Sequence, residues 1–234
     1  MNQDTFHQSL LKTARVAGIT CLLSIIIVVY ANFGILNKLV TDDPSATAGN
    51  ILAHENLFRF SIVCHLMYCA GIVTLSAAFY IILRQVNRGL ALTAMLFRLI
   101  HALVWIPIVL NFFTALRLSR GATYLHAFAP DQLQSLARLS LSGNDTYYVG
   151  LLFWSMASTI CSYLWLKSKY IPGLFAIFGL ISSIWCTACT FIYIIFPGFS
   201  DTVNLWWFDS PMTIFEIVIS FWLLIKGISL TYRT

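Results

Sequence analysis

Apolar residues occur along this chain in long runs that polar and charged segments separate. Six runs, at about residues 13–37, 57–83, 89–117, 147–166, 171–196 and 210–230, are long enough to span a membrane. A helix needs roughly 20 mostly apolar residues to cross the hydrocarbon core. The pattern therefore predicts an all-α integral membrane protein, a six-transmembrane-helix bundle that forms one domain over residues 1–234.

Two shorter helices are predicted between the spans. In the loop 118–146, Leu133, Leu136 and Leu139 recur at helical spacing, which indicates a short amphipathic helix between spans three and four. This helix would lie on the outer leaflet or, alternatively, cap the bundle as a lid. A similar helix would start at Pro44, and Pro211 would lie near the first turn of span six, where proline loses no hydrogen bond.

The loop charges predict the orientation of the chain. With both termini in the cytoplasm, eight Lys or Arg residues flank the spans on the cytoplasmic side and four on the outer side. Cytoplasmic loops of membrane proteins carry such an excess of positive charge. The eight are Lys12, Arg15, Arg84, Arg88, Lys167, Lys169, Lys226 and Arg233, and the four are Lys38, Arg117, Arg120 and Arg138.

The composition supports the membrane interpretation and excludes other classes. Hydrophobic residues make up 59% of the chain and charged residues only 10%, with a mean hydropathy of +0.81. Soluble domains are closer to half apolar and a quarter charged. Soluble enzymes, nucleic-acid binders and disordered regulators are therefore excluded, and the net charge of +5 reflects membrane orientation.

Ionisable side chains inside the spans are the candidate functional residues, because each is costly in hydrocarbon unless it is paired or hydrated. Counting at 1.5 Å per residue places His65, His101 and Glu216 at about the same depth, with Arg98 within side-chain reach. Glu55 and Arg59 form a second group, spaced four residues apart as in a helical ion pair. The candidate ligand-binding residues are Glu55, Arg59, His65, Arg98, His101 and Glu216.

These residues allow several functions. An Arg98–Glu216 pair could only fix helix packing, or a polar cavity could bind a small molecule or lipid headgroup. A metal site is not expected, because no His-x-x-x-His or Glu-x-x-His pair is present to fix two ligands on one helix. The Cys186–Cys189 pair lacks a second, loop-borne cysteine pair that could relay electrons, so its expected role is packing.

Five short motifs in the same order resemble a bacterial integral-membrane family known as domain of unknown function 4386. The resemblance covers about residues 13–228 and implies a six-helix protein of the bacterial inner membrane without an established activity. It includes Glu55, Arg59, Arg98 and Glu216 as motif positions. The motifs are Asn50–Arg59, Leu83–Arg88, Phe97–Leu99, Ser168 with Ile171 and Pro172, and Glu216 with Trp222–Gly227.

The leading hypothesis is a multi-pass membrane protein that binds a small amphiphile or lipid headgroup in an outward-facing polar pocket. The alternative is a structural or partner-binding membrane subunit, and a membrane-embedded hydrolase or oxidoreductase comes third. Membrane lipids are the expected partners. No cofactor and no nucleic acid are expected, and enzymatic activity is the less favoured interpretation.

Overall fold

The computed structural model describes residues 3–122, 125, 127–142 and 144–229 of the chain. Every regular element within these ranges is helical. Arg233 and the C-terminal Thr234, which belong to the orientation argument, lie outside the described residues, as does residue 230 at the predicted end of span six.

The described ranges contain long helices joined by short connections. A π-helix, Tyr30–Leu36, continues the first long helix, and a 3-10 helix covers Pro197–Asp201. The α-helices are α1 (Gln3–Val29), α2 (Asn37–Leu39), α3 (Pro44–Ala53), α4 (Glu55–Leu83), α5 (Arg88–Ser119), α6 (Pro130–Leu141), α7 (Asn144–Ser168), α8 (Gly173–Ile195) and α9 (Leu205–Ile225).

Six helical segments in the described ranges are long and apolar enough to cross a membrane, which confirms the predicted all-helical, multi-pass class. Within Pro130–Ser168, α6 and α7 are separate helices, so the spanning part is α7. The segments are His7–Leu39, Glu55–Leu83, Arg88–Ser119, Pro130–Ser168, Gly173–Ile195 and Leu205–Ile225.

The long helices expose large apolar side chains on their outer faces. On α5, Leu103 and Leu110 are 61% and 58% exposed, whereas Val109 is buried. In water such contiguous apolar surface would drive association. Against lipid tails it is compatible with an isolated chain, and the backbone polar groups are satisfied inside each helix.

The chain divides into two compact units, each built from segments that are distant in sequence. Unit 1 comprises residues 1–23, 71–102 and 148–234, and unit 2 comprises residues 24–70 and 103–147. Helices α1, α4, α5 and α7 each contribute residues to both units. Whether the whole chain behaves as one domain stays a prediction.

Close helix contacts in unit 1 depend on two glycines. A Cβ added at Gly18 of α1 would lie 2.6 Å from the carbonyl oxygen of Ser220 and 2.9 Å from the backbone nitrogen of Leu224, both on α9. A Cβ at Gly179 of α8 would collide with the ring of Phe215. Small residues let helices approach closely in membranes, and here they place α1 and α8 directly against α9.

Unit 2 has its own apolar core and a short helix packed on it. The core includes Ile51 of α3, Phe58 of α4 and Phe112 of α5. The amphipathic helix predicted in the outer loop is confirmed as α6, which packs against α3 and buries Leu133 and Ala137. The structure thus places α6 on another helix of the protein.

The start of the last span differs from the prediction. Helix α9 begins at Leu205, capped by the side chain of Asn204, so Pro211 lies inside the helix and not in its first turn. Because proline has no N–H, it leaves the carbonyl four residues earlier without its helical partner. That carbonyl, of Trp207, accepts a 3.3 Å hydrogen bond from the indole of Trp185 on α8. A side chain from a neighbouring helix therefore makes an interior proline tolerable here.

Candidate functional site

Arg98 and Glu216 form a buried ion pair in unit 1. Arg98 comes from α5 and Glu216 from α9, and their side chains are 2% and 5% exposed. Arg98 Nη2 lies 2.5 Å from Glu216 Oε1. The predicted Arg98–Glu216 contact is thus present, and the two opposite charges neutralise each other in a buried environment where an unpaired charge would be costly.

Helix α7 completes this site with two polar side chains. The hydroxyl of Ser158 donates to Glu216 Oε1 at 2.7 Å, and the indole nitrogen of Trp154 donates to the same oxygen at 2.8 Å. Ser158 also accepts a 3.2 Å hydrogen bond from Arg98 Nη2. Because residues four apart share a helix face, one face of α7 supplies both donors. One carboxylate oxygen therefore accepts three hydrogen bonds from two helices.

His101 lies beside this cluster. Its Nδ1 is 2.9 Å from the backbone carbonyl of Gly150, and its ring stacks on Trp154 with centroids 5.6 Å apart. Since a carbonyl can only accept, Nδ1 carries a proton. His101 is thus joined to Glu216 through the Trp154 ring, so the structure brings Arg98, His101 and Glu216 together.

His65 belongs to unit 2 and is surrounded by aromatic rings. Its Nδ1 donates to the carbonyl of Ser61, one turn earlier in α4, at 2.7 Å. Its ring packs against Trp105 and Phe112, with centroid distances of 5.5 and 5.1 Å. Its Nε2 has no hydrogen-bond partner in the described part of the chain. The common layer predicted for His65, His101 and Glu216 stays a prediction.

Glu55 and Arg59 form the predicted ion pair on α4, and the structure adds a third member. Arg59 Nε donates to Glu55 Oε1 at 2.6 Å. Arg120, which follows α5, contacts the same carboxylate through two nitrogens, with Nε 3.0 Å from Glu55 Oε2 and Nη2 paired with Oε1. This two-point contact is the geometry in which guanidinium and carboxylate groups bind most strongly.

An open groove lies at this ionic cluster. Residues 52–57 and Arg120 line it, and its volume is about 520 Å³. The side chains of Arg59 and Arg120 are 45% and 51% exposed, so both guanidinium groups remain accessible. Leu52 and Leu57 are also partly exposed here. The groove is therefore mainly polar and positively charged, and Leu52 and Leu57 contribute a smaller apolar part.

The histidine, cysteine and acidic side chains bear on the alternative metal and redox chemistries. No group of three or more His, Cys, Asp or Glu side chains placed to hold a metal ion occurs among them. All six cysteines are free thiols, and Cys186 and Cys189 are buried. Their face of α8 also includes Ser182, Ser183 and Thr190, all buried, which is typical of close helix packing.

A family profile described as Domain of unknown function (DUF4386) matches residues 16–227. The chain belongs to this family. The DUF4386 match includes residues of both units and every candidate site residue named above. Comparison with curated proteins and with solved structures gave no match.

Sequence reasoning missed three members of these sites. Trp154 and Ser158 are neutral, so the search for ionisable residues inside spans passed over them. Their spacing of four residues on one apolar helix was the available signal. Arg120 was counted only as a loop charge. Its pairing with Glu55 joins residues 65 positions apart, and no local pattern carries that information.

Proposed function

We propose that this DUF4386 protein binds the anionic headgroup of a lipid or other small amphiphile in the groove formed by residues 52–57 and Arg120. The observation that carries the proposal is the charge balance. One carboxylate, that of Glu55, is shared by two partly exposed guanidinium groups. The cluster therefore has a net positive charge and can accept a further anion.

Unused hydrogen-bond donors support this assignment. In the described part of the chain, Arg59 uses only its Nε for Glu55, and its two terminal nitrogens remain for a ligand. Planar guanidinium groups match phosphate and carboxylate oxygens well. Since the lining residue Leu52 is 43% exposed and Leu57 37%, acyl chains would find apolar contact next to the charged end.

The expected orientation agrees with a headgroup ligand. The excess of Lys and Arg on the opposite loops places the start of α4 and the end of α5 at the outer membrane surface. Lipid headgroups lie at this depth, so a lipid could reach the groove from the outer leaflet without crossing the membrane.

A short-chain lipid titration tests the proposal. The purified full chain in detergent would be titrated with dihexanoyl-phosphatidylglycerol or with zwitterionic dihexanoyl-phosphatidylcholine, while thermal unfolding is followed. Ligand that binds only the folded state raises the melting temperature. We expect stabilisation by the anionic lipid, and an Arg120→Ala variant should bind about two- to fivefold more weakly, the effect of one partly exposed charge pair.

Arg117→Ala is the matched control, because it removes the same charge from an exposed position in the last turn of α5, three residues before Arg120. It should leave the lipid response close to that of the unmodified protein. If the Arg117 and Arg120 variants lost affinity for the anionic lipid equally, the lipid would be held only by general charge attraction and not by this groove. Equal stabilisation by the anionic and zwitterionic lipids would contradict an anionic headgroup site.

A second candidate function is that of a structural membrane subunit, in which Arg98 and Glu216 only hold helices together. Their near-complete burial and their mutual pairing in unit 1 favour it. An Arg98→Leu, Glu216→Met double variant distinguishes the two sites. A folded double variant that keeps its lipid response supports the groove, whereas loss of the response would place the headgroup at Arg98.

A further inference from the structure

Several buried donor groups in unit 1 lack acceptors. Arg98 Nε and Nη1, Ser162 Oγ and Trp165 Nε1 have no hydrogen-bond partner among the residues that the structure describes. Arg98 is 2% exposed, and Ser162 and Trp165 are fully buried. Buried polar groups are nearly always paired, so unpaired ones indicate a bound molecule or ion.

These groups follow one face of α7. Trp154, Ser158, Ser162 and Trp165 are spaced four, four and three residues apart, so they fall within about 80° around the helix. Trp154 and Ser158 donate hydrogen bonds to Glu216. The last two continue the same polar stripe by about 10 Å from Ser158 toward the end of α7, at 1.5 Å per residue.

One aromatic ring brings the ends of this set together. The guanidinium carbon of Arg98 lies 5.2 Å from the centre of the Phe79 ring. The Trp165 ring meets the same Phe79 edge to face, with centroids 5.6 Å apart. Since Ser162 lies on α7 between Trp165 and the Arg98 partner Ser158, the unpaired donors line one region of unit 1 that is about 10 Å long. The thiol of Cys161, which interacts with Arg98, borders it.

We infer that this region binds small hydrogen-bond acceptors, placed one after another along α7 from Arg98 to Trp165. The Arg98 and Trp165 nitrogens can only donate and the Ser162 hydroxyl can also donate, so the ligand must supply lone pairs. The Arg98–Glu216 pair is already neutral, so ordered water fits better than an anion, which would leave a net buried charge. A halide is the other occupant with suitable chemistry. This site is independent of the proposed headgroup groove.

Radiolytic footprinting of the full chain in nanodiscs tests for the water. X-ray pulses generate hydroxyl radicals from bound water, and these oxidise adjacent side chains even in the interior. We expect Trp165 to be oxidised faster than Met212, and Cys161 faster than Cys186, because both controls are also fully buried side chains of unit 1. Bound water beside Arg98 would explain this difference. Access of bulk solvent would not, because all of the compared side chains are buried.

Substitutions of the unpaired donors show whether the labelling depends on this site. Ser162→Ala with Trp165→Phe should abolish the rapid labelling of Cys161. Ser76→Ala should not, because Ser76 is a buried serine of unit 1 whose hydroxyl is paired with its own helix. If the double variant does not fold, Ser162→Ala alone should lower the labelling of Trp165.

The occupant is identified by comparing melting temperatures in chloride and in gluconate at equal ionic strength. Stabilisation by chloride that the Ser162 and Trp165 substitutions remove would identify a halide at the same site. Trp165 labelled no faster than Met212, together with equal melting temperatures in both salts, would overturn the inference.

Discussion

The carboxylate of Glu216 is buried in unit 1 and is stabilised there by its hydrogen-bond partners. One of its oxygens accepts hydrogen bonds from Arg98, Trp154 and Ser158. Removing one member of a buried ion pair leaves the other charge without compensation. Removing both and filling the space with apolar groups avoids that penalty and is often neutral.

We therefore expect Arg98→Leu or Glu216→Met alone to destabilise the protein by about 3–5 kcal/mol. The double variant should recover most of this loss. Thermal or denaturant unfolding in detergent measures the difference, and Arg84→Leu, at an exposed position directly after the end of α4, is the control for charge removal. Additive losses in the double variant would show that the two residues do not act as a pair.

The cysteines of α8 provide a second residue-level prediction. Cys186 and Cys189 are fully buried thiols three residues apart on one helix, a geometry that rarely permits an unstrained disulfide. Replacing both with alanine should change stability only through packing, on the order of 1–2 kcal/mol. Unfolding curves with and without a reducing agent check this. A reductant-dependent shift confined to the unmodified protein would point instead to redox chemistry.

Helices α1 and α9 of unit 1 approach each other closely because Gly18 has no Cβ atom. Gly18 lets the backbone of α1 touch that of α9, where any Cβ would meet backbone atoms that cannot move aside. Gly49 on α3 is the opposite case, because a Cβ there would point into open space.

A pair of alanine substitutions tests this difference. Gly18→Ala should destabilise the protein by about 1–3 kcal/mol, the usual cost of overpacking. Gly49→Ala should be neutral or stabilise it by roughly 0.5–1 kcal/mol, because alanine favours a helix over glycine. Unfolding in detergent compares the variants. Similar effects at both sites would mean that α1 and α9 do not approach as closely as described.

At the scale of the whole molecule, the distribution of charge predicts how the chain crosses the membrane. Positive residues favour one set of flanks by eight to four. An even number of spans returns both ends of the chain to the same side. Both termini are therefore expected in the cytoplasm, with α6 on the outer side.

Reporter fusions test this topology in intact bacteria. A fusion at Asp131 should report the periplasm and one at Thr234 the cytoplasm, using alkaline phosphatase and green fluorescent protein, which are active on opposite sides. Reversing the charge bias with added Lys and Arg near the outer loops should disturb the result. The same side for both fusions would be incompatible with six spans.

The sequence by itself determined the class of fold and the positions of its costly charges. Hydrophobic runs reveal spanning helices because lipid requires about 20 apolar residues per crossing. The same argument identified Arg98 and Glu216, since a charge within such a run must find compensation. Both inferences depend only on local composition and helix geometry. The family motifs added the same residues through resemblance.

Only the tertiary structure decided which groups meet. The Arg120–Glu55 contact, the Ser158 and Trp154 donors to Glu216, and the Trp185 indole on the Trp207 carbonyl each join distant segments. The last contact allows Pro211 to lie inside α9, contrary to the local rule that placed it at the helix start. Hydrophobic periodicity specifies where a helix lies along the chain. Rotation, register and the partner of each polar atom follow from packing between helices, which no single stretch of sequence contains.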